Sequence, residues 1–252
     1  MINNLFCDDC FNVLPKIDNK SIDLIICDPP YGSTPLKWDK QLDFNRLWAE
    51  YKRIIKDNGV ILIFGQEPFS SYVRLSNIEW FKYDWYWQKE RLTNVFQVKR
   101  RPGKVIETIS VFYKNQPTFN HVKTIYEGRK VSNKIGENAR FSQTMSANAK
   151  NKPLEYIDDG TRYPLQLLKI NRDNCRKNIH PTQKPLELCE YFINTYTNEG
   201  NVVLDNCMGS GGTILASLKL NRQYIGIEKN NNYYNLALNR INQYKYDNYT
   251  KQ

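Results

Sequence analysis

Hydrophobic positions in this chain gather into short β-branched and aromatic runs, separated by stretches whose apolar residues recur at helical spacing. Ile22–Cys27 and Val60–Gly65 are almost unbroken apolar runs, the pattern of strands buried on both faces. Asn4–Cys7 predicts a short first strand and Phe11–Ile17 a helical turn. Asp43–Lys56 has helical periodicity, with Asp43 placed as its N-cap and Asn58-Gly59 as its stop. Tyr83–Gln88 and Thr108–Tyr113 alternate aromatic or branched residues with polar ones, which predicts two more strands. Beyond residue 186 the same grammar returns. A helix over Leu186–Thr197 precedes a strand over Asn201–Asp205 and a tight loop, Gly209-Ser210-Gly211-Gly212. A helix over Thr213–Leu220, a strand over Tyr224–Glu228 and a helix over Tyr233–Gln243 follow. Alternation of this kind predicts an α/β fold with a mostly parallel sheet.

The stretch 114–152 breaks the pattern. It is rich in Asn, Lys, Ser and Thr, and carries eight lysines or arginines against two glutamates. We read three segments: 1–113, an insertion over 114–165, and 166–252. A solvated insertion is one reading. A nucleic-acid contact is the other, favoured by the basic run Lys99-Arg100-Arg101-Pro102-Gly103-Lys104 just before it. Lys99, Arg100, Arg101, Lys104, Lys123, Arg129 and Lys130 are the candidate contacts.

Composition narrows the class. The 252 residues are 40% hydrophobic with mean hydropathy −0.65, and no run approaches the ~18 apolar residues of a membrane span. The first residues lack the basic end of a signal peptide, so a cytoplasmic protein is expected. A formal charge of +10 and a pI near 9.2 point to a polyanionic partner. Cys7 and Cys10 form a lone C-x-x-C with no second pair at zinc-finger spacing, which predicts reduced thiols and no structural metal.

Two motifs carry chemistry. Asp28-Pro29-Pro30-Tyr31 directly follows the first buried strand. In open α/β sheets ligands collect at such strand ends. The two prolines stiffen the turn and leave its carbonyls free to accept hydrogen bonds. A carboxylate, free carbonyls and an aromatic face together suit an exocyclic amino group on a base. The second motif, Asp205-Asn206-Cys207-Met208-Gly209-Ser210-Gly211-Gly212-Thr213, joins a strand to a helix, and Glu228 stands 23 residues beyond Asp205. An acid about 20 residues past such a loop sits at the next strand's tip, where it binds ribose hydroxyls. The spacing is neither the dinucleotide fingerprint nor a P-loop, so an adenosine cofactor without a pyrophosphate fits best.

Taken together, these residues resemble the S-adenosylmethionine-dependent DNA amino-methyltransferases, in the permuted (β-type) order with the catalytic half first. Asp28-Pro29-Pro30-Tyr31 matches the catalytic D/N/S-P-P-Y/F/W motif, and His180-Pro181-Thr182-Gln183-Lys184-Pro185 resembles the H-P-x-x-K-P segment. Asp205–Thr213 matches the D-x-F-x-G-S-G-T-T loop, and Asp9 fits the pair that ends the first strand. Cys207 and Gly212 depart from the usual Phe and Thr. The resemblance implies a doubly wound, Rossmann-like methyltransferase sheet with an inserted target-recognition region. It implies S-adenosylmethionine as cofactor, double-stranded DNA as substrate and a homodimer as the assembly. Asp28, Pro29, Pro30 and Tyr31 would be catalytic. Asp9, Asp28, His180, Thr182, Lys184, Asp205, Asn206, Gly209, Ser210, Gly211 and Glu228 would hold the cofactor, with Thr182 and Lys184 at the methionine carboxylate. The chemistry calls for neither a metal nor a covalent intermediate. Asp at position 28 favours the N6 amine of adenine over the N4 amine of cytosine, where Ser is commoner. A glutamine-modifying protein methyltransferase, a nicotinamide oxidoreductase and a non-catalytic DNA-binding module fit the motifs less well.

Overall fold

The protein is described from a computed structural model that covers residues 1–32, 39–125, 159–173 and 183–248, with the backbone alone at 133–134, 155–156 and 249. Along the chain run β1 (Asn4–Cys7), α1 (Cys10–Val13), β2 (Ile22–Cys27), α2 (Phe44–Ile54), β3 (Ile55–Gly65), α3 (Phe69–Ser76), β4 (Phe81–Gln88) and β5 (Ile106–Phe112). Then come the short strands β6 (Thr124–Ile125), β7 (Asn133–Lys134), β8 (Glu155–Tyr156), β9 (Thr161–Arg162) and β10 (Leu167–Lys169). The last part holds α4 (Leu186–Tyr196), β11 (Val202–Asp205), α5 (Gly212–Lys219), β12 (Gln223–Glu228) and α6 (Asn231–Tyr249).

Eight strands form one sheet in the order β1-β12-β11-β2-β3-β5-β4-β10. All pairs are parallel except β3 with β5 and β5 with β4. Strand order reverses at β11 and β2, neighbours in space that lie far apart in sequence. Period-two alternation places Ile25, Ile61 and Ile63 under α2 and α3, where Leu47, Trp48, Tyr51, Phe69 and Val73 pack. Leu24, Ile26, Leu62 and Phe64 meet Leu188, Phe192 and Ile193 of α4 on the opposite face. Both faces are covered, which is why these strands read as continuous apolar runs.

Asp43 caps α2, its side chain accepting the Arg46 N–H. The expected stop at Asn58-Gly59 is a correction: α2 ends at Ile54 and β3 begins at Ile55. Asn58 and Gly59 lie in a bulge, because Ile22 faces Ile55 while Leu24 already faces Val60. Gly59 is needed there, since a Cβ would come within 2.9 Å of the Asp23 carbonyl. Trp85 and Trp87 are core residues, their indole N–H groups donating to the Tyr196 hydroxyl and the Ile170 carbonyl; Trp38 lies outside the described residues.

Two compact units are distinguished, Met1–Asn120 with Leu165–Gln252, and His121–Pro164. Asn120 belongs to the larger unit, its side chain donating to the carbonyls of Asn194 and Thr197. The smaller unit contains two antiparallel pairs, β6 with β9 and β7 with β8. No helix among the described residues is long and apolar enough to cross a membrane.

Phe192 is fully buried, with ring contacts to Phe64 at 6.3 Å and Trp85 at 6.0 Å. Phe192→Ala is expected to cost ~3–5 kcal/mol, read as a lower urea midpoint at unchanged slope.

Candidate functional site

The carboxyl ends of the parallel strands share one edge of the sheet. Asp9 follows β1, Glu228 ends β12, Asp205 ends β11 and Asp28 follows β2. β5 runs antiparallel to β3, so its first residues, Ile106 and Glu107, reach the same edge. Four of the five acids come from separate turns of the α/β pattern; Glu107 was not anticipated.

At the tetrapeptide, Pro29 is buried, while Asp28, Pro30 and Tyr31 are half-buried. Each oxygen of the Asp28 carboxylate has a donor: the Tyr31 hydroxyl at 2.8 Å and the Lys184 ammonium at 2.7 Å. The single Tyr31 hydroxyl proton is shared with Glu107, 3.0 Å away, and the ring stacks on Phe69 with centroids 4.9 Å apart. Burial and the two adjacent carboxylates raise the Tyr31 hydroxyl well above the ordinary tyrosine range, so it stays a donor.

Glu107 is 2% exposed and joins two lysines, Lys184 at 2.7 Å and Lys89 at 2.6 Å. Burial alone would raise this carboxyl; the two ammonium groups outweigh it and hold Glu107 below the usual range. Burial likewise opposes the charged form of Lys184, and Asp28 and Glu107 override it, leaving Lys184 above the ordinary lysine range. Lys184 also lies over the Phe64 ring, 5.0 Å from its centroid. A single acid inside the apolar strand Ile106–Phe112 was the available clue, because a buried carboxylate needs a partner. The sequence alone did not say which.

The glycine loop is held by its own strand ends. Gly209 N–H donates to one oxygen of Glu228 at 2.9 Å and Asn230 N–H to the other at 2.7 Å. Gly211 has φ of +76°, and a Cβ there would meet Ala237 at 2.8 Å, so both conformation and space require glycine. Asp205 is buried, with the Cys207 N–H as donor at 3.0 Å. Burial pushes its carboxyl up to about 7, and the nearby charges of Asp28 and Glu228 add to the rise. Burial also raises Glu228. Asn206 turns inward to accept from the Tyr51 hydroxyl. Ser210 is tied to Gln183 at 3.0 Å and to Arg240 at 3.1 Å. Asp9 caps α1 through the Phe11 N–H and pairs with Lys229 at 2.9 Å. His180 and Thr182 lie outside the described residues.

A family model described as DNA methylase matches residues 22–239. The chain belongs to this DNA methylase family. It is 30% identical to the type II methyltransferase M.HpaI of Haemophilus parainfluenzae, over 96% of this chain and 74% of that one. It is 27% identical to the DNA adenine methyltransferase YhdJ of Escherichia coli K12, over 92% and 80%. The solved complex of M1.HpyAVI with SAM superposes with a TM-score of 0.61 at 27% identity, covering 94% of this chain and 98% of that one.

In the methylase, Lys99, Arg100 and Arg101 are exposed and Lys104 is half-buried, all on the segment between β4 and β5. Lys123, in the smaller unit, pairs with Asp159 at 3.1 Å. Arg129 and Lys130 lie outside the described residues. The described residues contain no group of three or more His, Cys, Asp or Glu side chains placed to hold a metal ion.

Asp205 yields a pH prediction. Its folded pKa of about 7 exceeds the ordinary 3.8, so the folded state binds the proton more tightly. Its contribution to stability is therefore present at low pH and lost as pH rises from about 4 to about 7. The stability gain of Asp205→Asn over the unaltered methylase should grow by ~2–4 kcal/mol between pH 4.5 and 7.5. Denaturant melts of both ligand-free proteins at the two pH values measure it; a constant difference would refute the buried, protonated carboxyl.

Proposed function

We propose that this chain transfers the methyl group of S-adenosylmethionine to the N6 amino group of an adenine turned out of double-stranded DNA. The observation that carries the reading is the Asp28 carboxylate at the end of β2, fixed by Tyr31 and Lys184 at the sheet edge that also carries Asp205, the glycine loop and Glu228. Adenine rather than cytosine is supported by the carboxylate at position 28 and by the likeness to an adenine methyltransferase.

The residues present fit the cofactor. Asp28, Asp205 and Glu228 bring three acids to one edge; burial raises Asp205 most, and the charges of Asp28 and Glu228 add to the rise. A ligand with a sulfonium and an ammonium offsets those charges. Glu228 accepts one backbone N–H at each oxygen, leaving lone pairs for two ribose hydroxyls. Lys184 gives two of its three N–H donors to Asp28 and Glu107, and the third is available for the methionine carboxylate. Gly209 and Gly211 allow the backbone to approach the ligand. When bound, S-adenosylmethionine supplies a methyl group already activated on sulfur.

Asp28 and the Pro29 carbonyl accept the two N–H bonds of the adenine amine. This localises the nitrogen lone pair and aims it along the transfer axis. As the amine gains positive charge, the Asp28 carboxylate stabilises it, and the surplus proton of the methylated nitrogen then leaves by way of that carboxylate to solvent. Phe69 occupies one face of the Tyr31 ring, and the base stacks on the other. The base is unreachable inside a duplex, so it is flipped out. We assign residues 114–165 to target recognition, with segments 1–113 and 166–252 as catalytic and cofactor halves. We also propose a cytoplasmic homodimer, supported by the family resemblance and by the apolar patch of exposed Tyr72, Leu75 and Ile78; sedimentation measures the assembly.

Mass spectrometry of nucleosides from DNA incubated with the protein and labelled S-adenosylmethionine is the test. Labelled N6-methyladenine is expected, and Asp28→Ala should reduce it at least ~100-fold while calorimetry still registers cofactor binding. Labelled N4-methylcytosine would overturn the substrate; no label in either base would sink the reading.

A further inference from the structure

β4 and β5 are joined by residues 89–105, which leave and re-enter the sheet at the edge that carries Asp28. This excursion is a braced hairpin. Lys89 N–H donates to the Val105 carbonyl at 2.8 Å and Thr93 N–H to the Lys104 carbonyl at 2.9 Å. Asn94 crosses it, accepting from Lys104 N–H at 2.6 Å and donating to the Pro102 carbonyl at 2.9 Å. Its tip is a single 3-10 turn, Val95–Gln97, fastened by the Arg101 guanidinium on the Gln97 side chain.

Phe96 at that tip is 102% exposed, between the exposed Val95 and Val98. A phenylalanine ring gains substantially from leaving water, so an apolar cap on a braced projection marks a surface made to be covered. Charge identifies the covering partner. Residues 91–104 contain five basic side chains, Arg91, Lys99, Arg100, Arg101 and Lys104, and no acidic one. None of the five forms an ion pair among the described residues. Burial and the repulsion of Arg101 lower Lys104, a crowding of cations that a polyanion relieves.

We propose that Phe96 is a wedge that enters the DNA stack beside the target adenine, while the basic flanks of its hairpin grip the phosphates. This rests on the base-flipping reading above and adds a positioning residue to it. Apolar side chains inserted between base steps open the stack, and a ring left there slows the extruded base from returning. The brace fixes the ring on a stiff projection, and the root of the hairpin is the Lys89–Glu107 pair next to Asp28 and Tyr31. The hairpin therefore links the opening of the duplex to the place that receives the base.

The test uses the whole protein and a duplex oligonucleotide containing the sequence it methylates. Phe96→Ala is expected to lower kcat/KM about 5- to 100-fold, with cofactor affinity unchanged. Phe96→Trp should restore the rate, and an abasic site opposite the target should shrink the alanine defect to within about threefold, because that duplex is already opened. Addition of duplex DNA should quench the extra indole of Phe96→Trp. Unchanged kcat/KM in Phe96→Ala, or an equal loss on paired and abasic duplexes without rescue by Trp, would overturn the wedge. So would altered sedimentation as the variant's main defect, which would assign the ring to a second copy of the chain. An unaltered protein that methylates nothing would instead defeat the function proposed above. The indole signal needs only bound duplex and still decides Phe96: quenching supports the wedge, and no quenching refutes it.

Discussion

The ammonium of Lys184 is the constraint around which the edge carrying Asp28 is arranged. It bonds Asp28, at the end of one central strand, and Glu107, at the start of another, each at 2.7 Å. Lys184 itself comes from a segment just before α4, more than 70 residues beyond Glu107. One buried cation therefore joins the two separated stretches of the larger unit. A buried pair that loses one member leaves the other uncompensated, a loss of several kcal/mol. Lys89 at the second oxygen of Glu107 and the Tyr31 hydroxyl between the acids complete a network in which each buried charge has an opposite neighbour. The fixed orientation of Asp28 is the result.

Much of this architecture could be read directly from the chain. Ile22–Cys27 forms β2 as written, because a strand covered on both faces has to be apolar throughout. Asp43 caps α2, and the acid-tipped strand ends at Glu228. These features are local: each depends on residues within one turn or one strand. Features that depend on distant partners were not legible. α3 escaped notice because its eight residues contain three serines and follow a proline, and what holds it is the burial of Phe69 and Val73. The early start of β3 depends on pairing with Ile22, which no local pattern around Ile55 announces.

The site divides along the same line. The motifs located Asp28, Tyr31, Asp205, Gly211 and Glu228, whose positions follow from the ends of strands. Glu107 and Lys89 were missed, and Lys184 was seen only as a cofactor ligand, since its pairing with Asp28 crosses 156 residues. Asn206 and Ser210 also engage the protein itself, through Tyr51, Gln183 and Arg240. Residues inside a motif thus divide: some stand at the sheet edge that carries Asp28, and others hold the loop against the helices behind it.

The placement of β1 at the edge of the sheet has a consequence for how the chain is made. Among the described residues its strand partner is β12, paired from Asn4 with Ile225 to Cys7 with Glu228. On the ribosome, residues 4–7 emerge more than 200 residues ahead of their partner. At ~5–20 residues per second, the first strand waits on the order of 10–45 s before its hydrogen bonds can form. β2, β3, β4 and β5 can meanwhile assemble on their own contacts. The nascent methylase therefore builds the strands around Asp28 first, trailing an unpaired β1 that is captured only when β12 has been synthesised.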